Sequence, residues 1–226
     1  EFDITDILKE GENTLAVRVF KWTDGSYLED ADHWRMSGIH REVMLLHRPD
    51  VTIQDFGVRT ILDAEYKDAR LQIRPSVSAV KGAHTDGMKI CAVLHDAAGK
   101  PVGDRMEVSV KDVMNELYPQ RDNVYYPLME QKFENPLKWT AETPNLYTVI
   151  VAQKDAAGNE EHVFSTKYGF RHIEIKNGLV YINGERIMFK GANLQDTHPV
   201  TGRSVDVETM LTDVKMMKQA NMNTVR

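Results

Sequence analysis

The chain has 226 residues, 42% of them hydrophobic and 27% charged, with 34 acidic against 28 basic side chains and a net charge of -6. Such a composition suits one or two globular domains, and the acidic balance, with a pI near 5.8, argues against a surface that neutralises nucleic-acid phosphates or anionic lipid. No apolar run approaches the roughly 18 residues of a membrane-spanning helix, no targeting segment opens the chain, and the single Cys91 can form no intrachain disulfide, so apolar packing must hold the fold while the compartment, cytoplasm or periplasm, stays open.

In chain order, residues 1–48 carry two apolar runs, Leu15 to Phe20 and Glu42 to Leu46, split by an acidic and aromatic stretch from Thr23 to Trp34. Both runs predict strands. Two or three strands cannot bury both faces of a sheet, so this block is expected to be the last part of a larger β-domain.

Residues 49–167 read as nearly all β. Leu71, Ile73, Val77 and Ala79 share one parity, with Pro75 between them, and Met88, Ile90, Ala92 and Leu94 do the same in the next run. Further strands are predicted from Met106 to Val110 and from Leu146 to Ala152, with turns at Asp96-Ala-Ala-Gly99 and Asp155-Ala-Ala-Gly158. This spacing predicts an immunoglobulin-like or fibronectin-like sandwich of about seven strands in about 100 residues, without the disulfide. Its buried positions are expected to include Val77, Ile90, Val108 and Val149. Trp139, at the start of the return connection into a late strand, is expected to be a core or inter-sheet anchor.

Residues 168–226 change character. Leu179 to Ile182, Asn183-Gly184 and Glu185 to Phe189 predict a hairpin, because an Asn-Gly pair tolerates the positive φ angles of a type I′ turn. A helix follows, with Asp206 as N-cap, Val207, Met210, Leu211, Val214 and Met217 on one face, and Lys215 and Lys218 near the C-terminal end of the dipole. Thr224-Val-Arg226 then re-enters a strand, so the block has the βαβ pattern that opens a parallel barrel. The absence of an initiator Met and the strand begun at the last residues lead to the expectation that the chain is a piece of a larger protein. The helix stripe then needs a cover, from its own chain or from a second copy.

Several runs together carry a family resemblance. Trp22-Thr-Asp-Gly-Ser-Tyr-Leu-Glu-Asp-Ala-Asp-His-Trp-Arg-Met-Ser-Gly-Ile-His-Arg-Glu-Val43, Asn135-Pro-Leu-Lys-Trp139, Thr143-Pro-Asn-Leu-Tyr147, Tyr168-Gly-Phe-Arg171, Ile182-Asn-Gly-Glu185, Lys190-Gly-Ala-Asn193, Met216-Met-Lys-Gln219 and Asn223-Thr-Val-Arg226 occur in that order along the whole chain. The sequence resembles family 2 glycoside hydrolases, the large bacterial β-galactosidases among them. The resemblance implies a mainly β chain: the end of a sugar-binding jelly roll (1–48), an immunoglobulin-like sandwich (49–167) and the start of a catalytic TIM barrel (168–226). It implies a retaining β-galactosidase as parent, with β-glucuronidase or β-mannosidase as alternatives and a β-galactoside-type carbohydrate as partner, and it leaves a homo-oligomer open.

Retaining glycosidases use two carboxyls about 5 to 5.5 Å apart. In the family both are glutamates on later barrel strands, so the chain by itself is expected to lack them and to be inactive. The resemblance gives Asp24 two roles in the parent, a contact to the sugar and a ligand to sodium, a hard cation that prefers oxygen donors. Read alone, Asp24-Gly25-Ser26 is only a turn signal. By the same resemblance Arg226 stands beside the nucleophile, and magnesium serves the parent elsewhere. One position departs from the pattern: Gln195 stands where the family's β-galactosidases have a sugar-contacting histidine, and a glutamine hydrogen-bonds hydroxyls but cannot become cationic. His198 is expected to be a hydrogen-bonding loop residue, and Glu29, Asp30 and Asp32 a solvated loop or partners of Arg35 and Arg41. A rival without the family resemblance is a non-catalytic β-sandwich interaction module.

Overall fold

The structure, a computed structural model, describes residues 2–29, 36–115 and 127–226. They form two compact units, one of residues 46–189 and the other of residues 1–45 with 190–226. The larger unit is a sandwich. One sheet has the order β1 (Val51–Leu62), β2 (Ala69–Ala79), β5 (Met129–Phe133), and the other β4 (Pro101–Ser109), β3 (Lys89–His95), β6 (Tyr147–Lys154), β7 (Glu160–Tyr168). All neighbours in these two sheets are antiparallel. Three strands facing four, with the third, fourth, sixth and seventh strands together, is the immunoglobulin-like arrangement that the spacing predicts.

Period-two burial builds the core. Ala69, Leu71, Ile73 and Pro75 point inward from β2, and Ile90, Ala92 and Leu94 from β3, meeting Val149 and Val151 of β6. Ile90 and Val149 are fully buried, while Val77 and Val108 are half-buried against the same core. The strand phasing therefore survives the irregularities in register between Ile53 and Asp55 and between Ala92 and Leu94. Cys91, on the opposite parity, is nevertheless buried, with the Arg105 guanidinium donating to its Sγ at 2.7 Å. Burial pushes this thiol up from its ordinary range.

Two expected details change. The run from Met106 stays extended through Ser109 as the end of β4, but Val110 leaves it, because Ser109 Oγ accepts from the Asp112 backbone N–H at 3.0 Å and starts a short helix, α2 (Val110–Met114). The Ser109-x-x-Asp112 spacing was the available signal for that cap. The runs from Leu15 to Phe20 and Glu42 to Leu46 form no strands, and Leu15, Val17, Val19, Phe20, Val43, Met44, Leu45 and Leu46 are exposed. A strand takes its hydrogen bonds from another strand, and neither run has a partner ladder among the described residues.

Beyond the sandwich the larger unit adds a meander of β8 (Ile173–Lys176), β9 (Leu179–Ile182) and β10 (Glu185–Arg186). The predicted turn is present, with φ of 51° at Asn183 and 83° at Gly184. A second Asn-Gly pair, Asn177-Gly178, turns β8 into β9 with φ of 52° and 73°, and its signal was equally visible in the sequence. Tyr66, from the β1–β2 turn, packs on Gly184 and hydrogen-bonds Glu174, and Lys176 Nζ donates to both Tyr66 Oη and, at 2.8 Å, Glu174 Oε1. Lys176 first, then Tyr66, holds the Glu174 carboxyl below the usual range, and the same contacts hold Lys176 above its own.

A depressed glutamate contributes stability above its unfolded pKa and loses it as pH falls through the folded value. Wild type is therefore expected to show a fall in urea midpoint as pH drops below about 4.3. Part of that fall should be missing in Glu174→Gln, and superimposable pH profiles for the two proteins would refute the assignment.

Candidate functional site

The smaller unit is organised by a βαβ element: β11 (Gly191–Ala192), α3 (Val207–Gln219) and β12 (Thr224–Val225), with β11 and β12 parallel. Asp206 caps α3 as predicted, its side chain accepting from the Thr209 backbone N–H at 2.8 Å. The runs 190–193 and 223–226 lie side by side here. Asn223 donates from its backbone N–H to the Lys190 carbonyl at 2.9 Å and accepts at Oδ1 from the Lys190 N–H at 2.9 Å. Arg226 donates to the Ala192 carbonyl at 3.1 Å, and its own carbonyl accepts from Leu194 N–H at 2.9 Å. The apolar stripe of α3 is only partly covered among the described residues: Val207, Leu211 and Val214 are exposed, Met210 and Met217 are half-buried, and no residue of the helix is buried.

Parallel strands end on the same side, so Asn193 to Asp196 after β11 and Arg226 after β12 converge. They line a cavity of about 450 Å³ together with His40, Arg41 and Arg203. Arg41 is its frame. One guanidinium nitrogen donates to the carbonyls of His40 and Arg203 at 3.0 and 3.1 Å, and the other lies 3.6 Å from Asp196 Oδ2. Among the described residues Arg41 meets Asp196; the expected pairing of Arg35 and Arg41 with the acidic stretch falls on Asp30, Asp32 and Arg35, which lie outside those residues.

The residues singled out from the sequence fall in different places. Arg226 and Gln195 both line the cavity and both are exposed. His198 shapes the loop beside it: its Nδ1 accepts from the backbone N–H groups of Val200 and Thr201, each at 3.2 Å, while its backbone exchanges bonds of 2.7 and 3.0 Å with Gly202. Asp24 is exposed at the first position of a one-turn helix, α1 (Asp24–Leu28), where Thr23 N–H donates to Ser26 Oγ at 3.0 Å. It is not among the described residues that line the cavity.

No group of three or more His, Cys, Asp or Glu among the described residues could hold a metal ion, whereas a hard cation needs several oxygen donors at once. Asp24 supplies one carboxylate.

Trp139 belongs to a separate junction in the larger unit. It is half-buried, its N–H donates to the Phe170 carbonyl at 2.9 Å, its carbonyl accepts from Asn183 Nδ2 at 3.0 Å, and the Arg171 guanidinium lies 4.9 Å from its ring centroid. The inter-sheet anchor is Phe170 instead, fully buried with the rings of Tyr147, Phe133 and Tyr168 at 5.0, 5.5 and 6.1 Å. Tyr147 Oη accepts from Leu137 N–H at 3.0 Å, and Pro144 forms a bridge with Trp139. Three separate sequence runs, 135–139, 143–147 and 168–171, therefore meet at one joint between the sandwich and the meander.

Comparison with known proteins divides the chain into three. The sugar binding domain of glycosyl hydrolases family 2 matches residues 1–49, the domain described simply as glycosyl hydrolases family 2 matches residues 51–171, and the family's TIM barrel domain matches residues 173–226. Beta-galactosidases from Priestia megaterium, Alteromonas mediterranea and Yersinia enterocolitica are 40%, 39% and 36% identical over 100% of this chain. The chain spans about a fifth of their length, 21%, 21% and 22% respectively. The fold is similar to that of a beta-glucuronidase from Parabacteroides merdae, with a TM-score of 0.60 at 22% identity over 79% of this chain and 21% of that one. A beta-glucuronidase from Ruminococcus gnavus gives the same TM-score at 20% identity, covering 79% of this chain and 26% of that one. With a seven-strand sandwich followed by a βαβ element, and with family matches running from residue 1 to residue 226, the chain belongs to glycosyl hydrolases family 2.

Proposed function

We propose that the protein carrying this chain is a retaining glycoside hydrolase that removes terminal β-D-galactosyl units, and that residues 1–226 alone do not hydrolyse glycosides. The observation that carries the reading is identity of 36–40% with three β-galactosidases along the whole chain. Retention needs two carboxyls about 5 to 5.5 Å apart, a nucleophile and a general acid/base. Asp196 is the one carboxylate side chain among the described residues lining the cavity, so no pair is assembled there, and both catalytic carboxyls are assigned to other residues of the whole protein.

In this reading Arg226 orients the nucleophile's carboxylate through its planar fork of donors. Asp24 lends one oxygen to sodium and one contact to the sugar, magnesium is bound elsewhere in the whole protein, and the sandwich spaces the sugar-contacting domains and is available for contacts between subunits. A β-glucuronidase is the second reading, favoured by the fold similarity at 20–22% identity.

A panel of aryl β-galactosides, β-glucuronides and β-mannosides, given to the whole protein and to the 226-residue chain, tests both halves. The whole protein is expected to turn over the galactoside fastest, with retained anomeric configuration, and the chain to stay at background. Faster turnover of the glucuronide would replace the first reading by the second. Turnover by the chain itself, abolished by replacing one of its own carboxylates, would overturn the claim of inactivity.

A further inference from the structure

We propose that Asn177 is a site of spontaneous covalent modification, closing to a cyclic imide with Gly178 and reopening to aspartate and isoaspartate, while the other Asn-Gly pair of the same meander, Asn183-Gly184, is kept intact by the fold. The chemistry needs only water. The backbone nitrogen of Gly178 gives up its proton to a solvent base and attacks Cγ of Asn177; a C–N bond forms, the Cγ–Nδ2 bond breaks, and Nδ2 takes a proton from solvent and leaves as ammonia. Water then adds to one of the imide carbonyls and opens the ring. The net change is amide plus water to carboxyl plus ammonia, with nothing oxidised or reduced. Glycine favours the first step because it has no Cβ to shield the attacking nitrogen.

The two turns share a backbone, with φ of 52° and 73° at Asn177 and Gly178 and of 51° and 83° at Asn183 and Gly184, so the turn type does not separate them. Their surroundings do. Asn183 is half-buried, its Oδ1 accepts from the His172 N–H at 2.9 Å, and its Nδ2 donates to the Trp139 carbonyl at 3.0 Å, so swinging its side chain onto the next nitrogen breaks both bonds. Tyr66 closes the space above that turn, since a Cβ on Gly184 would stand 2.6 Å from Tyr66 Cε2 and 2.7 Å from Cδ2. Asn177 is exposed, its side chain has no hydrogen-bond partner among the described residues, and nothing lies within 4 Å of a would-be Cβ on Gly178. Its neighbour Lys176 is engaged by Glu174 and Tyr66 instead. The products differ in what they do to the turn: aspartate tolerates the left-handed backbone, whereas isoaspartate puts an extra carbon into the main chain of the loop that sets the pairing of Lys176 with Leu179. This inference stands apart from the hydrolase reading and needs no glycoside.

The test is to age the whole protein in mildly alkaline buffer, folded and, separately, unfolded in guanidinium chloride, and to follow both Asn-Gly pairs by peptide mapping with mass spectrometry. An isoaspartyl methyltransferase with labelled methyl donor counts the isoaspartate in each sample. In the folded protein Asn177 is expected to convert at least about tenfold faster than Asn183, the factor set by the two side-chain hydrogen bonds that Asn183 has to open first. In guanidinium the two rates are expected to converge, because the sequence Asn-Gly is common to both and only the fold sets them apart.

Equal rates in the folded protein overturn the proposal, as does an Asn177 that stays intact when folded and converts only when unfolded. A difference of the same size in guanidinium also overturns it, since the selectivity would then belong to the neighbouring residues and not to the fold. Aspartate as the sole product rules out the cyclic imide. Hydrolysis of a glycoside, or its absence, leaves each of these outcomes unchanged.

Discussion

Replacing Phe170 by alanine is expected to cost the larger unit about 3–5 kcal/mol, the range for truncating a buried phenylalanine whose cavity does not collapse. Phe170 is fully buried, edge-on to Tyr147 at 5.0 Å and to Tyr168 at 6.1 Å, and tilted against Phe133 at 5.5 Å. These partners come from β6, β7 and β5, so the ring is shared by both sheets and no single side chain can move in to fill its place. The carbonyl of residue 170 still accepts the Trp139 N–H, so the substitution removes packing without removing that hydrogen bond. Urea unfolding followed by circular dichroism measures it, and Phe170→Leu, which keeps most of the volume, is expected to lose only about 1 to 2 kcal/mol. A loss below about 1 kcal/mol for the alanine variant would mean that the sheets are not joined through this ring.

Gly169→Ala is the second large effect, expected at about 2–3 kcal/mol from overpacking. A Cβ on residue 169 would stand 2.5 Å from Trp139 Cβ and 2.7 Å from its Cγ. Trp139 has little room to yield, since its N–H and carbonyl are both bonded and Arg171 covers its ring. Gly57 is the control, because it has φ outside the left-handed region and nothing within 4 Å of its would-be Cβ. Gly57→Ala is expected to leave stability nearly unchanged or slightly raised, through the lower entropy of the unfolded chain. Equal behaviour of the two variants in the same urea titration would count against a steric reason for the glycine in the Tyr168-Gly-Phe-Arg171 run.

The exposed stripe of Val207, Leu211 and Val214 has the same physical origin as the unpaired runs near residue 20 and residue 45. Amphipathic patterning is written locally, at 3.6 residues per turn in a helix and two per repeat in a strand, and it states which face wants burial. It does not state what will bury it. Leu71, Ile73, Ile90 and Leu94 found an opposing sheet and are at most 1% exposed, whereas Leu15, Val17 and Val19, with the same alternation, found none among the described residues and are 48–69% exposed.

What the sequence by itself determined is therefore what short-range physics can encode. Alternating apolar residues set the parity of β2 and β3, Asn183-Gly184 set a turn that needs two positive φ angles, and Asp206 set the start of α3, because each of these depends on residues only a few positions apart. The order of the family's motifs pointed to Arg226 and Gln195, and both line the cavity. The tertiary structure alone decided which groups join them. Arg41 and the Arg203 carbonyl are 162 positions apart in the chain and 3.1 Å apart in space, and Trp139 and Phe170, conspicuous only as separate motifs, form one joint because two sheets and a meander close around them. No periodicity or turn signal spans such distances, since they follow from strand pairing and packing between elements that the chain brings together only on folding.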